Sequence, residues 1–269
     1  MIPGSPQPGL APAVVAAFRR DGFVVVPSLF SAEEAAVLRA EGHATIERLS
    51  ARHEIDGTWQ SAAEGADAGD AEVTHLLHCH DVQFHSAAFT AALAGGRLGA
   101  TFAALMGTPN VQLHHNKLFI KPAERGSPFP LHQDWPFFPH AQDSLVAAIV
   151  HLDAAPEEKG CVRVVPGSHH GGRLRHEGDI DWYLPVADHP PASATPVPAA
   201  AGDVLFFTCL TVHGSGVNRS SEARTTWLVQ VRDAADEPTV DRHRSPGQGT
   251  MLAGANTTHP PPPSPFGRS

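Results

Sequence analysis

The stretch "GDVLFFTCLTVHGSG" (202–216) sets the reading of the chain. Its apolar core "VLFFTCLTVH" reads as one strand, opened by Gly202 and Asp203 and carrying His213 at its end. Four other segments read alike: "VQLHHNKLFIKP" (111–122), "DSLVAAIVHLDA" (143–154), "GCVRVVPGSH" (160–169) and "ARTTWLVQVRD" (223–233). Short apolar or alternating runs separated by Gly, Pro and Asp are the signature of an antiparallel barrel or sandwich.

Upstream the period changes. Residues 10–20 are alanine-rich and end at "RRDG", and "FVVVP" (23–27) is a short strand stopped by Pro27. Ser31 and Glu34 stand at capping-box spacing and open a helix with apolar positions Ala35, Leu38, Gly42, Ile46 and Leu49. "FTAALAGGRLGATFAALMG" (89–107) is helical and ends at Gly107. The acidic, aperiodic stretch 60–72 reads as a surface loop, and the proline-rich end 255–269 as an extended, disordered tail. We therefore expect one domain over 1–254, with a helical part at about 10–107 and a β core at about 108–235.

Composition narrows the function. A hydrophobic fraction of 42% supports a sizeable core, and no run approaches the roughly 18 apolar residues of a membrane span. The first residues lack the order of a signal peptide, so a soluble cytoplasmic protein is expected. A net charge of −9, with lysine only at 117, 121 and 159, argues against nucleic acid or a membrane as partner and leaves a small molecule. Cys79, Cys161 and Cys209 lack metal or disulfide spacing and are expected to be reduced and buried. Oligomeric state is not legible.

The chemistry lies in "LHQDWPFFPH" (131–140). In an extended segment His132 and Asp134 leave the same face and can share one ion. His213, brought close by barrel closure, is the best third ligand. Two imidazoles and a carboxylate form the facial triad that suits non-haem Fe(II) and leaves coordination positions open for a 2-oxo acid and O2. If that acid is 2-oxoglutarate, its distal carboxylate requires a buried cation, and arginine matches it in shape and charge. Arg224 lies in the next strand, and "GSGVNRSSE" (214–222) would let the two strands pair; Arg219, in that turn, competes. An isolated HxD in a chain with 18 histidines carries little weight; its order with His213 and Arg224 carries more.

That order, HQD, then "GCVRVVPGSHHGG", then "GDVLFFTCLTVHGSGVN", then Arg224, resembles the phytanoyl-CoA dioxygenase superfamily of Fe(II)/2-oxoglutarate oxygenases. "FRRDGFVVVPSLFSAEEAAVLRAE" (18–41) is similar to that family's opening, so the resemblance covers about 15–235. It implies a mainly β protein with flanking helices and a double-stranded β-helix (jelly-roll, cupin-like) core. It also implies iron on His132, Asp134 and His213, and 2-oxoglutarate on Arg224 with help from Ser215 and Gln133. The implied reaction consumes O2, converts 2-oxoglutarate to succinate and CO2, and hydroxylates an unactivated C–H of a small molecule, in character a secondary metabolite. Asp134 fills the position that related halogenases leave open for chloride. The chain departs from some relatives in having no lysine before residue 117.

Trp135, Phe137 and Phe138 are core aromatics or, following a metal ligand and broken by Pro136, the wall of a substrate mouth. His75, His78, His80 and His85 do not converge on one ion in any regular conformation and read as a pocket wall or a solvated segment. His169 and His170 belong to a loop. Two competing readings are a jelly-roll binding module without chemistry and a zinc hydrolase using the same His2Asp set.

Overall fold

A computed structural model describes residues 9–52, 76–124, 126–178, 182–240, 245–256 and 258. Helix α1 (Pro12–Asp21) starts with proline in its first turn and ends at Gly22, where φ is +81° and the amide caps Phe18 O. A side chain at Gly22 would also strike His169 and Thr211, so glycine is required twice over. Strand β1 (Phe23–Val26) follows, then α2 (Ala32–Ala51), whose N-terminus carries the expected capping box between Ser31 and Glu34. Its expected apolar positions are all buried. The 89–107 region is two helices, α3 (Ala87–Ala94) and α4 (Arg97–Met106), separated at Gly95–Gly96, where φ of +79° at Gly96 interrupts the helical path.

The remaining strands are β2 (Leu77–His80), β3 (Val111–Lys121), β4 (Phe129–His132), β5 (Val146–His151), β6 (Val162–Val164), β7 (Thr195–Val197), β8 (Val204–Thr208), β9 (His213–Ser215), β10 (Arg224–Asp233) and β11 (Met251–Ala253). They form two sheets. The larger runs β1-β8-β5-β10-β3-β11, with β2 also pairing β3, and the smaller runs β4-β9-β6-β7. All pairings are antiparallel, and the fold is a jelly roll with helices against one sheet.

Alternation along the large sheet separates two jobs. Val204, Phe206, Trp227, Val229 and Val231 join the helices in the main core. Leu205, Phe207 and Ala147 face the small sheet and pack with Val162, Val164 and Val197. Strand β3 keeps this alternation only because it bulges: Gln230 pairs with His115 but Val231 with Leu113. The extra residue, His114, lets Leu113 and Leu118 both face the helices although their numbers differ in parity.

Four expectations change. "VLFFTCLTVH" is not one strand: Thr211 N closes a turn onto Thr208 O, so β8 lies in the large sheet and His213 opens β9 in the small one. Strands β9 and β10 therefore do not pair; residues 216–223 carry the chain from one sheet to the other. "THLLHCHDVQFH" contains β2, placed on the edge of β3 inside the segment read as helical. Ala255 N bonds Asn110 Oδ1 and Thr258 Oγ1 bonds Ala234 O, so the start of the proposed tail is fastened. The rest of that tail, the 60–72 loop and His75 lie outside the described residues. All three cysteines are buried and unbridged. Among the described residues no single helix is long and apolar enough to cross a membrane.

Candidate metal centre

Strands β4 and β9 pair with His132 opposite His213, which brings their rings to 4.3 Å between centroids. Asp134, held after the strand by its amide bond to Cys209 O, turns its carboxylate to the same point. Its Oδ1 lies 3.7 Å from each histidine Nε2, and the three donor atoms are all within 4.8 Å of one another.

The surroundings fix which atoms face inward. Each Nδ1 meets a carbonyl two residues earlier, Pro130 O at 2.7 Å from His132 and Thr211 O at 2.9 Å from His213. The proton thus sits on Nδ1, and both Nε2 lone pairs point to the centre. Gln230 Nε2 donates to Asp134 Oδ2 at 2.6 Å, leaving Oδ1 for the shared point. Burial lowers the His132 pKa to about 3, with His213 adding to it, and lowers His213 to about 4. Burial raises Asp134. Neutral imidazoles beside a carboxylate that gains from a cation are the protonation states a divalent metal needs.

A second polar cluster borders the same cavity through Arg224 and Ser215. Arg224 is buried, bonds Gly160 O through Nη1, and leaves Nε without a partner. Its register partner Lys121 is 0% exposed and donates to Ser215 Oγ at 2.7 Å and Gly216 O at 2.8 Å. Burial and the neighbouring guanidinium hold Lys121 well below the usual lysine range, and burial lowers Arg224 to about 10. Asp153, the acid that acts on Arg224, is engaged by Arg39 at 2.5 Å and by Thr225 N. A buried guanidinium with an orphan N–H, beside a buried lysine amine, forms a place for a carboxylate. The cavity, about 220 Å³, opens between the sheets and takes in the metal donors, Ser215 and Arg224.

Residues 18–226 match the sequence model of the family described as phytanoyl-CoA dioxygenase (PhyH). The chain belongs to the phytanoyl-CoA dioxygenase family. Curated relatives include a probable alpha-ketoglutarate-dependent hypophosphite dioxygenase of Stutzerimonas stutzeri, 28% identical over 56% of each chain. A methylphosphonate hydroxylase of Gimesia maris is 28% identical over 88% of each. The matches are partial for several relatives: 38% of the length of the peroxisomal phytanoyl-CoA dioxygenase of Rattus norvegicus is covered. Among solved structures, the epimerase SnoN in complex with Fe3+, alpha ketoglutarate and nogalamycin RO superimposes with TM-score 0.66 at 26% identity, covering 91% of this chain and 96% of that one. The non-haem alpha-ketoglutarate-dependent carbocyclase SnoK gives 0.68 at 25%, covering 90% and 93%.

Within this member of the phytanoyl-CoA dioxygenase family the sequence-predicted residues divide. His132, Asp134, His213, Arg224 and Ser215 share the cavity, and Phe137 and Phe138 line it. Gln133 does not. Strand alternation turns it away from its two neighbours, and its amide is consumed by Gly172 O, Leu210 O and Leu174 N. Trp135 is likewise outside the cavity lining; its ring lies 5.0 Å from the Arg173 guanidinium and edge-on to His176. Arg219 is exposed in the turn, and His169 and His170 bond the carbonyls of Arg19 and Arg20. His78 and His80 both line the cavity, whereas His85 is exposed. Sequence reasoning missed Lys121 and Gln230, whose positions depend on register across the sheets.

Proposed function

We propose that the protein is an Fe(II)- and 2-oxoglutarate-dependent dioxygenase that hydroxylates an unactivated C–H of a small molecule, a secondary metabolite in character. One observation carries the reading. Two converging Nε2 atoms and one carboxylate oxygen open onto the same cavity as a buried arginine with an unpartnered N–H. His132, Asp134 and His213 would hold the iron, and Arg224 with Ser215 would take the distal carboxylate of 2-oxoglutarate. Bound together, iron, 2-oxoglutarate and O2 supply the oxidant for the C–H.

The chain's own groups supply the rest. Pro130 O and Thr211 O keep the imidazoles in the metal-binding tautomer, and Gln230 aims Asp134. Leu228, Ile149 and Phe207 line the same cavity as the metal donors and Arg224 and give it apolar wall. The buried Arg224–Lys121 pair supports this reading over zinc hydrolysis, which has no use for it.

The test is direct. Anaerobic addition of Fe(II) and 2-oxoglutarate should produce a weak visible charge-transfer band, and admission of O2 should produce succinate. His132→Ala should abolish both while circular dichroism is preserved. A zinc hydrolase or a binding module gives neither band nor succinate, and retained turnover in His132→Ala would overturn the ligand assignment.

A further inference from the structure

The register of the large sheet divides the cavity wall. Ile149, Leu228, Lys117 and His80 form one row across β5, β10, β3 and β2, and Phe119 and His78 stand beside each other in the next. All six line the cavity. Strands β5 and β10 supply Ile149 and Leu228 with the uncharged Thr226 and Gln230 and carry Arg224, whereas the β3–β2 half presents Lys117, His78, His80 and His115. Facing it are the rings of Phe129, Phe137, Phe138 and Trp182.

We propose that the substrate is an organic anion with a flat aromatic or similarly apolar body, its carboxylate or phenolate held by Lys117 and His80 and its body set against Phe137, Phe138 and Trp182. The inference rests on the proposed iron and 2-oxoglutarate reading, which assigns Asp134 to the metal and Arg224 to the co-substrate. Lys117 is then the cavity-lining cation to which that reading gives no role in holding metal or co-substrate. Directly opposed side chains in an antiparallel pair stand about 5 Å apart, so Lys117 and His80 can grip one carboxylate together. Lys117 lines the same cavity as His132, Asp134 and His213, so an anion bound there shares that space with the metal donors. His78 meets His80 edge-on at 5.4 Å and Phe119 at 6.4 Å, an aromatic floor on which a flat ring can lie.

The probe is benzoate, with benzamide as its neutral counterpart, added anaerobically to the protein loaded with Fe(II) and 2-oxoglutarate. The visible band and calorimetry report binding. Benzoate should perturb the band and bind at least tenfold more tightly than benzamide. Lys117→Met should lose benzoate at least tenfold and keep 2-oxoglutarate affinity within twofold; Lys117→Arg should restore benzoate. Equal binding of benzamide, undiminished benzoate binding in Lys117→Met, or displacement of 2-oxoglutarate by benzoate would overturn the proposal. So would Lys117→Met weakening 2-oxoglutarate instead, which would assign Lys117 to the co-substrate. Absence of the band in the unaltered protein would remove the iron reading itself, and the inference with it.

Discussion

Gln230 donates from Nε2 to Asp134 Oδ2 at 2.6 Å, joining two residues 96 positions apart in the chain. The bond leaves one carboxylate oxygen free to face His132 and His213 and keeps Asp134 from rotating away. Partners behind a metal ligand commonly govern affinity by 10–100-fold. Gln230→Leu should therefore weaken Fe(II) binding by about that factor with little change in secondary structure. A titration giving unchanged affinity would show that Asp134 is oriented by something else.

The second polar cluster predicts a graded series. Arg224→Ala leaves a buried carboxylate without its strongest partner and should weaken 2-oxoglutarate by about 100-fold or more. Under the proposed assignment Lys121 would act on 2-oxoglutarate through Ser215, whose oxygen it occupies as acceptor, leaving the Ser215 proton for the cavity. Lys121→Met and Ser215→Ala should each cost about tenfold, and the double variant less than the product, because residues in one hydrogen-bonded network do not act independently. Calorimetry with anaerobic Fe(II) protein separates these cases. Full additivity would mean that Lys121 has no hold on Ser215.

Ser31 accepts from Glu34 N at 3.2 Å and its own amide donates to Glu34 Oε2 at 2.8 Å, while Arg97 clamps the same carboxylate at 2.7 and 2.8 Å. Ser31→Ala should cost about 1 kcal/mol. Thermal denaturation should show a midpoint lower by about 2–4 °C. The site lies on the other side of the large sheet, so 2-oxoglutarate affinity should be unaffected; a change there would mean that α2 transmits strain to the cavity.

What could be read in advance was local. The capping box needs three residues of spacing, and the His132–Asp134 pair needs only strand alternation, which also turns Gln133 away. Phe137 and Phe138 against Trp135 could not be separated, because Pro136 ends the regular ladder just where the side chains diverge. The crossing at 209–212 is made of Cys209, Leu210, Thr211 and Val212, residues as strand-like as their neighbours, and the turn is visible only in the bond from Thr211 N to Thr208 O. His114 reads as an alternating strand position yet is the bulged residue. Lys121 and Gln230 find their partners 94 residues away or more, across a register that no local pattern encodes.

Three buried imidazoles make the metal-free protein acid-sensitive. Burial lowers His132 to about 3 and His213 and His151 to about 4, and Arg224 adds to the effect on His151. The unfolded chain protonates these groups near pH 6.5, so between that value and about 4 it holds more protons than the folded protein, and stability falls as pH falls. Each imidazole contributes about 1.4 kcal/mol per pH unit within that window. Asp134, raised by burial, acts in the opposite sense, its share being lost as pH rises through the carboxylate range. The thermal midpoint of metal-free protein should therefore drop from pH 6.5 to 4.5, and His132→Gln should flatten the slope by about one proton. Saturating metal should raise the midpoint at pH 7, a gain that vanishes on acidification as protons compete for Nε2. A midpoint independent of pH across that range, or an unaltered slope in His132→Gln, would show that the imidazoles are not held neutral by their burial.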